Sequence, residues 1–237
     1  TPTVRGVSLA NRHSNSAVEG RTDATGRSRP AVTAFRDAAI VLALALASFL
    51  LLNANGREIG GYDSQPTKFA ARELALRGTL ALNRVVGEFP GLADRPAFAT
   101  AADGRVRSAY PVLPSIMAAG PAWLLARAGV LDLEAPLAPT IIAKITASLL
   151  VTLAVVCAYL IARQRAAPAA ALVVAGAYGF GTNAWLAGQT LGGHETVAFG
   201  LMAGLVLLAR PGQRPGGWRA WLAAALLAVA GAARAQV

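Results

Sequence analysis

Apolar positions along the chain gather into five blocks, at residues 38–52, 140–162, 166–187, 196–209 and 220–233. Crossing a bilayer takes about 20 apolar residues, with a range of about 17–25. The second and third blocks meet that length by themselves, and the others reach it with their flanks. The pattern predicts an all-α chain with spans near residues 36–54, 139–162, 166–187, 195–210 and 218–234. Burial of the same helices inside a soluble protein is the competing reading, but five such blocks leave too little polar surface to cover them. Composition agrees with a membrane protein: 55% of residues are hydrophobic and 14% charged, against about 25% charged in soluble domains.

Residues 1–33 are rich in Ser, Thr, Gly, Asn and Arg and show no apolar periodicity. Such a segment cannot bury enough surface to fold, so a disordered basic tail is expected there. A cleavable signal would bring its apolar core nearer the start and follow it with a small-residue site. The first block therefore reads as an uncleaved span. The chain begins at Thr1 and ends at Val237, just past the last block. It reads as an N-terminal piece of a longer protein, with a short natural variant as the alternative.

Charge sets the orientation. The net charge is +10, which in a soluble chain would point to nucleic acid. Here the arginines lie mainly between apolar blocks, and no compact basic patch with interleaved aromatics is present. The positive-inside rule accounts for them better and excludes nucleic acid as a partner. Arg5, Arg12, Arg21, Arg27, Arg29 and Arg36 hold the tail in the cytoplasm. Residues 55–138 then form a large outer loop of a multi-pass protein of the inner (plasma) membrane. Residues 110–130 are apolar enough to span. If they did, Arg163, Arg165 and the basic run at 210–219 would fall outside. Lying on the surface, they put both basic links inside. Pro111, Pro114 and Pro121 would also interrupt a spanning helix repeatedly. Residues 113–128 are thus expected to form an interfacial helix anchored by Trp123. A second helix is expected from Pro66, at a first-turn position, to about Arg77, with Glu73 and Arg77 as an i,i+4 pair.

A few residues could carry chemistry. Asp63 follows the glycine-rich approach Gly56 to Gly61 and is held close to the first span, where a carboxylate could take a proton from an acceptor hydroxyl. Asp63 or Ser64 could equally cap the helix that starts near Pro66. In the outer link 188–195, Gly192-Gly193-His194-Glu195 places an imidazole beside a carboxylate. The pair could bind a divalent cation, orient a phosphate or shuttle a proton, or simply begin a helix, with Glu195 favourable at its N-terminus. Lys144 is a charge inside a span and so a functional hypothesis by default. It could neutralise a phosphate or snorkel to the headgroups. Arg105 and Arg107 could assist at the phosphate or be solvated. Cys157, the single cysteine, excludes an intrachain disulfide framework and any cysteine-rich metal site.

The order of these features resembles the polytopic glycosyltransferases of the C-type (GT-C) fold, in particular the bacterial mannosyl- and arabinosyltransferase-like membrane proteins. Tyr62-Asp63-Ser64 is similar to the family's acidic position early in the first outer loop. Residues 70–82 resemble its following "A…L…G.L.L" stretch. Gly104 to Pro111, with Arg107 and Tyr110, resembles "G…S.YP". Gly181-Thr182-Asn183-Ala184-Trp185 with His194 is similar to "GT..W…H". The resemblance covers roughly residues 38–237. A second acidic residue beside Asp63, present in some members, is missing, and so are the family's later spans.

The resemblance implies a GT-C-like helical bundle over residues 34–237. It also implies a polyprenyl-phosphate-linked sugar donor and a glycan, lipid or protein acceptor on the outer face. Asp63 would be the general base. Lys144, His194, Glu195, Arg107 and Tyr110 would contact substrate. No resident cofactor is implied, and a divalent cation is left open. The rival reading is a non-enzymatic membrane scaffold or transporter fragment. A transporter would line a path with ionisable residues or pair broken helices, and Lys144 is the one charge deep in a block.

Overall fold

The computed structural model describes residues 29–61, 64–209 and 217–234. The expected disordered tail therefore lies outside the described residues up to 28. The first helix begins earlier than its apolar block: α1 runs Arg29–Asn53, with Pro30 in the first turn, where its missing N–H costs nothing. Two compact units are distinguished, residues 1–38 and 39–237. The first contributes only the opening turns of α1 to the described residues, and the packed core belongs to the second.

The protein is mostly helical. After α1 come α2 (Gln65–Arg77), α3 (Asn83–Glu88), a 3-10 turn at Pro90–Leu92, and an antiparallel pair of short strands. These strands are β1 (Phe98–Thr100) and β2 (Val106–Ser108), with Ala99 opposite Arg107. Then follow α4 (Leu113–Arg127), α5 (Ala138–Arg163), α6 (Pro168–Gly181), α7 (Ala184–Ala187), α8 (His194–Leu208) and α9 (Trp218–Ala232). The all-α expectation thus misses one small hairpin. Its turn is made by Gly104 at φ +73°, a conformation that favours glycine.

Among the described residues, two helices are long and apolar enough to cross a membrane: Phe35–Asn53 within α1, and α5. The other expected spans are shorter. Helices α6, α8 and α9 have 14, 15 and 15 residues, or about 21–23 Å at 1.5 Å per residue, against a hydrocarbon core of about 30 Å. The block at 166–187 is not one helix. It stops at Gly181, and Thr182 is extended. The Thr182 hydroxyl donates to the Tyr178 carbonyl at 2.6 Å and accepts from the Ala184 N–H at 3.1 Å. A hydroxyl bonding locally in this way competes with the helical ladder, which apolarity alone does not reveal.

Helix α5 is the axis of the second unit. Leu52, Val151, Val155, Tyr159, Ala171 and Ala175 form one core where α1, α5 and α6 meet. A Cβ on Gly179 would fall 2.6 Å from Val155 Cγ2, so α5 and α6 approach as closely as glycine allows. Small residues also seat α8 on α9: a Cβ on Gly200 would lie 2.8 Å from the Leu226 carbonyl oxygen. Close backbone approach through small residues is how apolar helices associate where the hydrophobic effect gives them no advantage.

The expected outer loop has its own core of Ala70, Leu82, Val85, Leu92, Ala97 and Phe98. It also carries a closed circuit of six alternating charges. Arg72 meets Glu73 at 2.8 Å and Glu88 at 3.2 Å. Arg77 meets Glu73 at 3.6 Å, the anticipated i,i+4 pair, and Glu134 at 3.1 Å. Arg84 meets Glu134 and Glu88, both at 2.7 Å. The Arg84 guanidinium is held above its ordinary range, first by its hydrogen bond to Glu134. The circuit joins α2, α3 and the segment leading into α5.

Candidate functional site

The segment after α1 is tied down on two sides. Asn55 Nδ2 donates to Gln189 Oε1 at 3.0 Å, and the Ile59 N–H donates to the Gln189 carbonyl at 3.2 Å. The Glu58 carboxylate is buried, pairs with Lys68 of α2 at 2.5 Å and accepts from the Thr190 hydroxyl at 3.2 Å. Residues 55–60 are therefore clamped between α2 and the link that precedes α8. Ser64 stands at the N-cap position of α2, but its hydroxyl donates to the Gly61 carbonyl at 2.9 Å rather than accepting from a helix N–H.

Between these clamped pieces lies a cavity of about 350 Å³. One wall is Gly61, Ser64 and Thr67. A second is Tyr110, Pro111 and Pro114. The third is the link from Thr190 to His194, and Ala233 and Arg234 close the end beyond α9. Three sequence segments with motif character, far apart along the chain, thus share one cavity. Asp63 and Tyr62 lie outside the described residues. In sequence Asp63 falls between Gly61 and Ser64, both of which line the cavity.

The other expected site residues separate into two groups. Tyr110 and His194 line the cavity. Arg234 donates to His194 Nδ1 at 3.0 Å. A guanidinium has no acceptor, so Nδ1 supplies a lone pair and the ring proton sits on Nε2. Glu195 is beside His194 in sequence but is buried, its carboxylate accepting the Gly192 N–H. It holds the link in shape from beneath and begins α8. Among the described residues, no three of His, Cys, Asp and Glu gather as a metal-holding group.

Arg107 and Lys144 do not line the cavity. Arg107 is exposed on β2 and meets Asp103 at 2.6 Å. The Asp103 carboxyl is held below the ordinary carboxylate range, chiefly by the Arg105 N–H and secondarily by the charge of Arg107. Lys144 is buried and does not reach out to headgroups. Its ammonium donates to the Leu52 carbonyl at 2.7 Å and to Gln189 Oε1. Ser148, one turn further along α5, donates to the Gly188 carbonyl at 3.1 Å. Lys144 therefore acts on the cavity at one remove, fixing the link that forms its third wall.

Sequence reasoning passed over Arg234, Glu58, Lys68 and Gln189. Glu58 and Lys68 are ten residues apart, a spacing no regular element brings together. Arg234 follows the last apolar block like any flanking arginine. Hydroxyl-bearing residues Ser64, Thr67, Thr190 and Tyr110 line the cavity together with Arg234 and His194, the Ser64 and Thr190 hydroxyl protons being already given to the Gly61 carbonyl and Glu58. Such a lining suits a hydroxyl-rich ligand with an anionic group. Comparison of the chain with protein-family models, curated proteins and solved structures found no match.

Proposed function

We propose that the chain is part of a multi-pass membrane glycosyltransferase. It would move a sugar from a polyprenyl-phosphate-linked donor to an acceptor hydroxyl on the outer face. The observation that carries this reading is the shared cavity. The residues flanking Asp63, the Tyr110-Pro111 pair and the Gly192-Gly193-His194 turn all line it. In this reading Asp63 takes the proton of the acceptor hydroxyl. The acceptor oxygen then bonds to the anomeric carbon as the bond from that carbon to the phosphate oxygen breaks. Arg234 and the Nε2–H of His194 stabilise the departing phosphate, where donors aimed at developing charge contribute most. Lys144 positions the link and does not touch the donor. A GT-C-like helical bundle crossing the membrane at α1 and α5 belongs to the same proposal, and the close seating of α8 on α9 supports such a bundle.

The test is sugar transfer by membranes holding the full-length protein, with radiolabelled polyprenyl-phosphate sugar as donor and wild type set against Asp63→Asn. Asparagine caps a helix about as well as aspartate but is no general base. The variant should fold like wild type and lose transfer by about 10²–10⁴-fold. Normal turnover in a well-folded variant would remove Asp63 from the mechanism and the main support for this function.

A further inference from the structure

Two hydroxyls on the cavity wall have their polarity fixed from behind. A Cβ on Gly60 would lie 2.8 Å from Ser64 Oγ, 2.9 Å from Glu58 Oε1 and 3.1 Å from Thr190 Oγ1, so three oxygens gather around one glycine. Ser64 and Thr190 line the cavity, whereas Glu58 does not. Each hydroxyl has one proton to give. Ser64 gives its proton to the Gly61 carbonyl at 2.9 Å. Thr190 gives its proton to Glu58 Oε1 at 3.2 Å. Neither acceptor can donate in return. One is a carbonyl, and the other is a carboxylate whose Oε2 is held by the Lys68 ammonium at 2.5 Å.

We infer that Ser64 and Thr190 read hydroxyl groups of the transferred sugar, each as an acceptor. The inference rests on the sugar-transfer reading of the cavity and adds the chemistry that its wall selects. With their protons committed, the two oxygens offer the cavity lone pairs only. The ligand must therefore bring O–H or N–H groups to this wall. The opposite requirement holds at His194 and Arg234, where the protein donates. Glu58 is a positioning residue: it touches Thr190 and not the ligand. Its pairing with Lys68 compensates its charge, which favours a neutral hydroxyl over a cation at this wall. A fluorine or a bare carbon in place of that hydroxyl leaves the wall oxygen without a donor. A site that pairs with a ligand hydroxyl rejects the analogue lacking it.

Direct binding to the full-length protein in detergent tests this without turnover. The probes are short prenyl phosphodiesters, each carrying one neutral hexose or pentose. The tightest of them is remade with each ring hydroxyl in turn replaced by hydrogen or by fluorine. At one or two positions fluorine should weaken binding as much as hydrogen does, by about tenfold. Thr190→Val should lose the same factor with the parent probe and nothing further with the analogue altered at its own position. Thr190→Ser should bind like wild type. Glu58→Gln should turn the polarity round. Lys68 can only donate, so it draws the amide oxygen. The amide nitrogen then faces Thr190 and frees the Thr190 proton to the cavity. That variant should bind the fluorinated probe more tightly than wild type does. If either variant fails to fold, the analogue series on wild type still decides. Fluorine tolerated wherever hydrogen is not, or equal binding of all analogues, overturns the inference and leaves the sugar-transfer reading standing. Wild-type protein that binds none of the probes overturns both.

Discussion

Lys144 closes the C-terminal end of α1: its ammonium donates to the Leu52 carbonyl across 2.7 Å. The last carbonyls of a helix have no intrahelical donors, and a positive charge is favoured beside them. Gln189 receives a second hydrogen bond from the same ammonium. One side chain thus joins α1, α5 and the link ahead of α8.

Lys144→Met should therefore act on stability. It takes the ammonium donor away from the Leu52 carbonyl and from Gln189 Oε1, which keep only the amide donors Gln189 Nε2 at 3.4 Å and Asn55 Nδ2 at 3.0 Å, and a hydrogen bond from a charged group contributes about 1.5–3 kcal/mol. Melting in detergent should shift clearly downward. Binding of a short prenyl phosphodiester to the remaining folded protein should be unchanged. A variant that melts like wild type but binds the diester weakly would return Lys144 to the ligand.

Glu195 should tolerate an amide. Glu195→Gln keeps an oxygen to accept the Gly192 N–H and should melt close to wild type. Glu195→Leu leaves that N–H unpaired and should be destabilised by about 1–3 kcal/mol. Equal melting of the two variants would show that the bond to Gly192 contributes nothing.

Gly200 and Gly176 should answer oppositely to alanine. A Cβ at Gly200 meets the Leu226 carbonyl oxygen at 2.8 Å, whereas one at Gly176 meets nothing within 4 Å. Overpacking of this kind costs about 1–3 kcal/mol. Gly200→Ala should lower the melting temperature and Gly176→Ala should leave it unchanged or raised. The α8–α9 contact is refuted if both behave like wild type.

Cysteines at Arg105 and Gln164 lie beyond opposite ends of α5, and both positions are exposed. In a Cys157→Ala background, an impermeant thiol reagent added outside whole cells should label Arg105→Cys directly. Gln164→Cys should label only after permeabilisation. Labelling of both without permeabilisation would show that α5 does not cross.

Much of the fold was legible because its signals are local. Pro66 marks the start of α2 within one residue and Pro114 falls in the opening turn of α4, whereas Pro121 lies inside that helix without ending it. The long apolar run of α5 was equally plain. The break at Thr182 was not, since it depends on where one hydroxyl bonds. The hairpin was missed because its pairing depends on strands only three residues long. At the site, the motif segments pointed to Tyr110 and His194, both of which line the cavity. The place of Lys144 was not legible, because a lone lysine in an apolar run looks the same whether it faces a ligand or a carbonyl. Arg234 was invisible because only the packing of α8 against α9 brings it to His194.

The charge circuit of α2, α3 and Glu134 has a property that no single ion pair has. Each of its six residues has a partner on either side, so losing any one turns a ring into an open chain and disconnects none of the rest. A first substitution at an exposed member such as Glu134 is cushioned, since exposed pairs contribute only about 0–1 kcal/mol. A second, at Glu88, would strand Arg84 from both carboxylates at once. The two losses together should exceed the sum of each alone. Sequence drift at this surface would then be permissive for one step and restrictive for the next, tying the fates of residues 46 positions apart in the chain.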